Sequence, residues 1–344
     1  MGYRTGFKCW RAASDGFAGW SLEDGREDVL LSPPEEPGFP VYECIPSWNA
    51  DVPAGSWLEI GLRARIEGRW TRWYDLGSWS PGSCPVARRS VGGQKDEAGE
   101  VATDTLKLFF PASALQARAR LCSPKASARP LLRAFSLAYS GLRPKTFEPS
   151  GEPGLRGRII EGVPKRSQMV FPDGGISWCS PVSAAMVLGY WTIGAFPTKT
   201  DIRIAAADTY DEEYGGCGNW SFSVAYAGGP GMEAYVVRFS CLNELEPWIA
   251  AGVPVVISVS WNEAEGRRLT GAPLEKSSGH LTVLVGFDAE GNPVMNEPAA
   301  PSDAEVRRVF DRKELEARWL EASGGAAYLI YPEGHSVPAF PRGA

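Results

Sequence analysis

The stretch DGGISWCSPVSAAMVLGYW, Asp173 to Trp191, decides how the second half of this chain folds. Its continuation from Pro181, PVSAAMVLGYW, is apolar on nearly every face of a helix, the pattern of a helix sunk in a core. Pro181 suits the first turn, where its missing N–H costs nothing. Cys179 then stands where a Gly-containing loop becomes that helix. There, unpaired amides and the positive end of the helix dipole favour thiolate over thiol. A buried, inert core residue is the alternative for any single cysteine. This chain has seven: Cys9, Cys44, Cys84, Cys122, Cys179, Cys217 and Cys241.

Downstream, LNELEPWIAAG reads as a second helix closed by Gly252. The pieces VPVVISVSW, HLTVLVGFD, NPVMNE and AAYLIYP read as strands. A buried helix followed by a mostly antiparallel sheet is an α+β layout, expected over residues 163–344. Upstream, residues 1–141 read as all-β: SWLEIGLRARI alternates apolar and polar side chains, and DTLKLFF and LLRAFSLAY are strand-like. Short strands between Gly, Pro and Ser turns predict a β-sandwich-like domain. Seven of the thirteen tryptophans fall in its first 80 residues: Trp10, Trp20, Trp48, Trp57, Trp70, Trp73 and Trp79. They are expected to fill its core; a surface that stacks on a glycan or cell-wall ligand is the alternative. Residues 142–162, rich in Pro, Gly and charge, read as a linker.

With 344 residues the chain is long enough for two domains, and its net charge of -6 excludes nucleic acid and anionic membrane as natural partners. No run reaches the ~20 apolar residues of a membrane span. The opening residues lack a signal-peptide pattern, so the default expectation is cytoplasmic, or secreted if a signal has been removed. The cysteines form no CxxC pair, which argues against a zinc knuckle and leaves reduced thiols as the default. No P-loop, dinucleotide fingerprint or HExxH motif occurs, and no cofactor or metal is expected.

A nucleophilic thiol needs an imidazole to share its proton, and His280 and His335 are the only histidines. His280 opens the apolar strand HLTVLVGFD. That strand turns at DAEGN and returns through PVMNEP, bringing Asn296 back toward His280 as a candidate to orient the ring. Alternation sends the adjacent Glu297 to the opposite face, so Asn296 is the expected third member. Gln168, in the loop before the helix, is a candidate oxyanion donor beside the Cys179 amide. Weaker candidates for the substrate cleft are Trp178, Asp173, and Asn219 with Trp220 in GGCGNWSF.

The segments VPKRSQMVFPDGGISWCSPVSAAMVLGYW, GHLTVLVGFD and VMNEPAAPSDAEVRR resemble papain-like cysteine peptidases, and more narrowly the bacteriocin leader-processing peptidases, family 39 of the cysteine class. The likeness spans roughly 163–332, and the order Gln, Cys, His, Asn is the papain order. GNWSFSVAYAG and the N-terminal segment from Pro46 also resemble bacterial two-domain members of that group. The resemblance implies a peptide or protein substrate, Cys179 as nucleophile, His280 as base, Asn296 as its orienting partner and Gln168 in the oxyanion hole. Two other readings are weighed: a cell-wall amidase or transglutaminase-like enzyme, the former drawing on His335, and a silent peptidase-like protein that binds through its Trp-rich domain.

Overall fold

The computed structural model describes residues 2–341 other than 14, 15, 18, 24, 25, 83, 126, 127 and 192–200. Mixed helix and antiparallel sheet make up two compact units: residues 1–143 with 207–230 and 341–344, and residues 144–206 with 231–340.

The first unit is built on one sheet of eleven strands. Its hub is the strand Thr105–Cys122, which pairs with Val41–Asp51 near its start and with Trp57–Ile66 through its second half. The register shifts beside Ala112 are where the strand passes from one partner to the other. Several strands are longer than expected, Thr105–Cys122 running to 18 residues, and hydrogen bonding passes continuously from partner to partner through this hub. Trp10, Trp48 and Trp79 are buried in the core, Trp48 meeting Trp79 edge-on at 6.3 Å. Trp70 and Trp73 lie under the Arg63 guanidinium at 4.7 and 4.6 Å. These tryptophans are occupied in packing, and the glycan-binding expectation gains no support from them.

Residues 207–230, which follow the domain boundary in sequence, are knitted into this first unit. Arg88 donates to the Ala207 carbonyl, Asp211 accepts from the Ser90 amide, and Ser221 Oγ donates to the Pro46 carbonyl. The helix Trp220–Ala227 packs on the strand Val41–Asp51 and adds Phe222 to the core.

In the second unit seven strands form an antiparallel sheet. Across its main path Met232–Arg238, Ala326–Pro332, Val255–Asn262, Lys276–Phe287, Pro293–Asn296 and Arg307–Val309 follow one another. Against it lies the helix Cys179–Trp191, with every residue from Ser180 to Leu188 buried. Two serines tie this helix to the sheet: Ser183 Oγ donates to the Leu281 carbonyl, and Ser180 Oγ meets the Tyr328 hydroxyl at 3.0 Å. The segment LNELEPWIAAG forms a 3-10 turn, Leu242–Leu245, and a short helix, Glu246–Ala250, ending before Gly252 at φ 78°. Residues 144–162 belong to this unit, where the sequence reads as a free linker. Glu316 accepts from the Ser150 amide, Glu246 from the amides of Gly154 and Leu155, and Arg158–Ile159 adds a short strand.

Candidate active site

Cys179 opens the central helix, as expected. The Trp178 carbonyl accepts the first helical bond, from Val182, so the Cys179 amide lies in the first turn, where amides have no intrahelical partner. Two glycines shape the approach. Gly174 sits at φ 152° and a Cβ there would strike the Trp178 indole; a Cβ on Gly175 would strike the Gln168 carbonyl. Trp178 is half-buried and stacks against Phe171 at 5.7 Å between ring centroids. Asp173, at the loop's outer edge, is paired with Arg203 at 2.9 Å.

His280 comes from the strand Lys276–Phe287 and is buried. Cys179 neighbours its ring closely enough to shift its titration, and Nε2 lies 2.5 Å from Oε1 of Glu297. Nε2 being engaged by the carboxylate, Nδ1 is the nitrogen left for the sulfur. Trp261 packs edge-on to the ring at 5.5 Å and closes it off from water. Burial alone would push the His280 pKa down; the Glu297 carboxylate and the neighbouring Cys179 outweigh it and raise it to about 10. Burial likewise pushes the Cys179 thiol up, but the neighbouring His280 and its charge turn the net shift downward. Both shifts are in the direction of a thiolate facing an imidazolium.

The structure corrects the expected partner of His280. Plain pairing of the hairpin from Phe287↔Pro293 would set Asn296 opposite Leu284, on the His280 face. Instead the register slips by one between Gly286↔Val294 and Leu284↔Met295, leaving Val285 as an extra residue and Asn296 opposite Val283. One such slip exchanges the two faces of a strand, so Asn296 turns away and Glu297 turns toward His280. Asn296 is fully buried elsewhere: its Nδ2 donates to the Pro164 carbonyl at 3.1 Å and its Oδ1 accepts from Arg307. The signal for the bulge was Gly286, an isolated glycine inside an apolar strand. Trp261 carries no motif that marks it in sequence.

Gln168 is buried in the loop before the helix, its Nε2 donating to the Gly175 carbonyl at 2.7 Å. Asn219 and Trp220 belong to the first unit. Asn219 Oδ1 caps the helix Trp220–Ala227 and its Nδ2 donates to Asp211, while the Trp220 amide donates to Asp104. His335 packs on Trp191 at 4.9 Å, at the far end of the central helix from Cys179, about 18 Å away at 1.5 Å per residue. It is out of reach as a third group. Among the described residues no cluster of His, Cys, Asp and Glu has the makings of a metal site, and no helix is long and apolar enough to cross a membrane.

Family models place these features. Residues 27–140 match a Peptidase C39 N-terminal domain, and residues 160–327 match a Peptidase_C39-like family. A crystal structure from Bacillus anthracis, described as a candidate C39-like peptidase, is 20% identical with a TM-score of 0.35, covering 50% of this chain and 96% of its own. No curated protein matches the chain. Both domain matches lead to the same group, and over these two stretches the chain is similar to the C39-like peptidases.

Proposed function

We propose that the protein hydrolyses peptide bonds through an acyl-enzyme on Cys179. The observation that carries this reading is the buried pair of His280 with Glu297, set beside Cys179 at the start of the central helix. The thiolate attacks the scissile carbonyl carbon. As the C–N bond breaks, His280 gives its proton to the leaving amine, and then takes one from the water that releases the acyl group. Glu297 accepts the Nε2 hydrogen, which holds the ring in plane with the sulfur and stabilises its charge. The developing oxyanion is held by the Cys179 amide and by Gln168, whose Nε2 has a second hydrogen beyond the one given to Gly175. Asn296 takes no part in this chemistry. Trp178 walls the approach to the sulfur. The substrates are peptides or proteins.

The test is alkylation with iodoacetamide at pH 6, the modified cysteine being located by mass spectrometry. Preferential labelling of Cys179, lost in His280→Ala, is the expected result. Labelling of Cys179 no faster than a free model thiol would sink the reading.

A further inference from the structure

The loop from Gln168 to Cys179 carries an apolar surface that neither the core nor the proton relay uses. Ile176 is 84% exposed, Val170 53% and Met169 42%. Single exposed apolar residues need no explanation, but three on one short loop beside a nucleophile call for one. The two one-turn 3-10 helices that carry them, Gln168–Val170 and Gly175–Ser177, pack against each other. Gln168 Nε2 bonds the Gly175 carbonyl, the Gly175 amide bonds the Phe171 carbonyl at 3.0 Å, and the Arg203 guanidinium lies 4.9 Å over the Phe171 ring. Arg203 is also the partner of Asp173, so the charge at the loop's edge is matched. What the loop presents outward is a held, neutral, apolar surface.

We infer that this loop is a specificity platform that receives an apolar side chain of the peptide substrate close to the scissile bond. The inference rests on the Cys179 reading above. Ile176 precedes Cys179 by three residues of tight turn, on the order of 6 Å at about 2 Å per residue. An extended peptide advances about 3.4 Å per residue, so the side chain that meets the platform belongs within about two residues of the scissile carbonyl. A surface already held in place binds without the cost of ordering a loop, and its contribution goes into choosing the substrate.

The experiment offers a randomised peptide library to the full chain and reads cleavage sites by mass spectrometry. In parallel, retention of the same library on the full-length Cys179→Ala chain is measured. Cut and retained peptides are expected to be enriched in Ile, Leu, Val, Phe or Met within two positions of the cleavage point. Ile176→Ser and Val170→Ser are each expected to reduce that enrichment about tenfold, with the iodoacetamide rate at Cys179 unchanged. Enrichment equal in both variants and the unmodified chain, or no apolar preference in either arm, overturns the platform. Slow alkylation of Cys179 in the unmodified chain overturns the peptidase reading instead, and retention still decides the platform.

Discussion

The second unit buries two cation–carboxylate pairs, His280 with Glu297 and Arg312 with Glu246. In the Arg312 pair both carboxylate oxygens are satisfied: Oε1 by the guanidinium at 2.7 Å, Oε2 by the amides of Gly154 and Leu155. Arg312 also donates to the Gly291 carbonyl and to Asn243. In the His280 pair, Glu297 Oε1 takes the ring and the Ala299 amide, while Oε2 is buried without a hydrogen-bond partner among the described residues. The ring's other side meets a thiol, a group that itself titrates. Arg312 Nε is itself buried without a hydrogen-bond partner among the described residues, but the carboxylate is fully engaged and a guanidinium does not give up its proton, so the first pair can hold only one charge state. In the second the proposed chemistry needs only the imidazole to give and take a proton while the carboxylate holds the ring, and that is the difference between a clamp and a relay.

Removing the ends of the relay should have the largest effect. Cys179→Ala or His280→Ala is expected to lower peptide hydrolysis by a factor on the order of 10⁴ or more, leaving the fold intact by circular dichroism. Glu297→Gln comes next. It keeps the shape but removes the charge that raises the His280 pKa, so turnover should fall on the order of 10²-fold to 10⁴-fold. The sign for pH follows from the two shifts. The thiolate–imidazolium pair persists from the lowered Cys179 pKa up to the raised His280 pKa of about 10. Activity should therefore fail on the acid side as Cys179 protonates and on the alkaline side as His280 loses its proton. In Glu297→Gln the alkaline limb should move to lower pH; an unmoved limb would remove Glu297 from the relay. For stability, the raised His280 pKa contributes fully below pH about 6.5 and is lost as pH rises through about 10.

Breaking the clamp should act on folding and not on chemistry. Glu246→Ala strands the buried Arg312 guanidinium and frees the amides of Gly154 and Leu155. A loss of about 3–5 kcal/mol in denaturant unfolding is expected, with the iodoacetamide rate at Cys179 unchanged in the folded protein. A fall in that rate would mean that the two pairs are coupled and the contrast between them false.

Part of this contrast is legible in the amino-acid sequence alone. The central helix was legible because its apolar run leaves no polar face, and Cys179 because a loop ends there. His280 stood out because only two histidines exist. The third group was not legible, because two adjacent residues, Asn296 and Glu297, are both able to accept the ring N–H and a single extra residue at Val285 decides which one faces it. Strand alternation is sound local physics, but a bulge is set by what packs alongside. Here Gly286 lets the short strand Arg158–Ile159 come so near that a Cβ would strike the Arg158 carbonyl. The placement of residues 207–230 was hidden for the same kind of reason. Arg88, Ser90 and Asp104 recognise that segment across more than a hundred residues of chain, and no local pattern records it.

Asn296 supplies the finest test, because it stands beside Glu297 in sequence but belongs with the clamp. Its amide joins the Pro164 carbonyl, at the entry to the domain, to Arg307 on the neighbouring strand. Asn296→Ala removes a buried donor and acceptor without touching His280, so a loss of about 1–3 kcal/mol in stability is expected, with kcat and both limbs of the pH profile held. An orienting residue would behave in the opposite way, with little change in stability and a large fall in kcat. Measured side by side, Asn296→Ala and Glu297→Gln should thus separate cleanly along the two axes. If Asn296→Ala lowered kcat as Glu297→Gln does, the bulge at Val285 would have to slip back during turnover, and the assignment of the third group would revert to the amide.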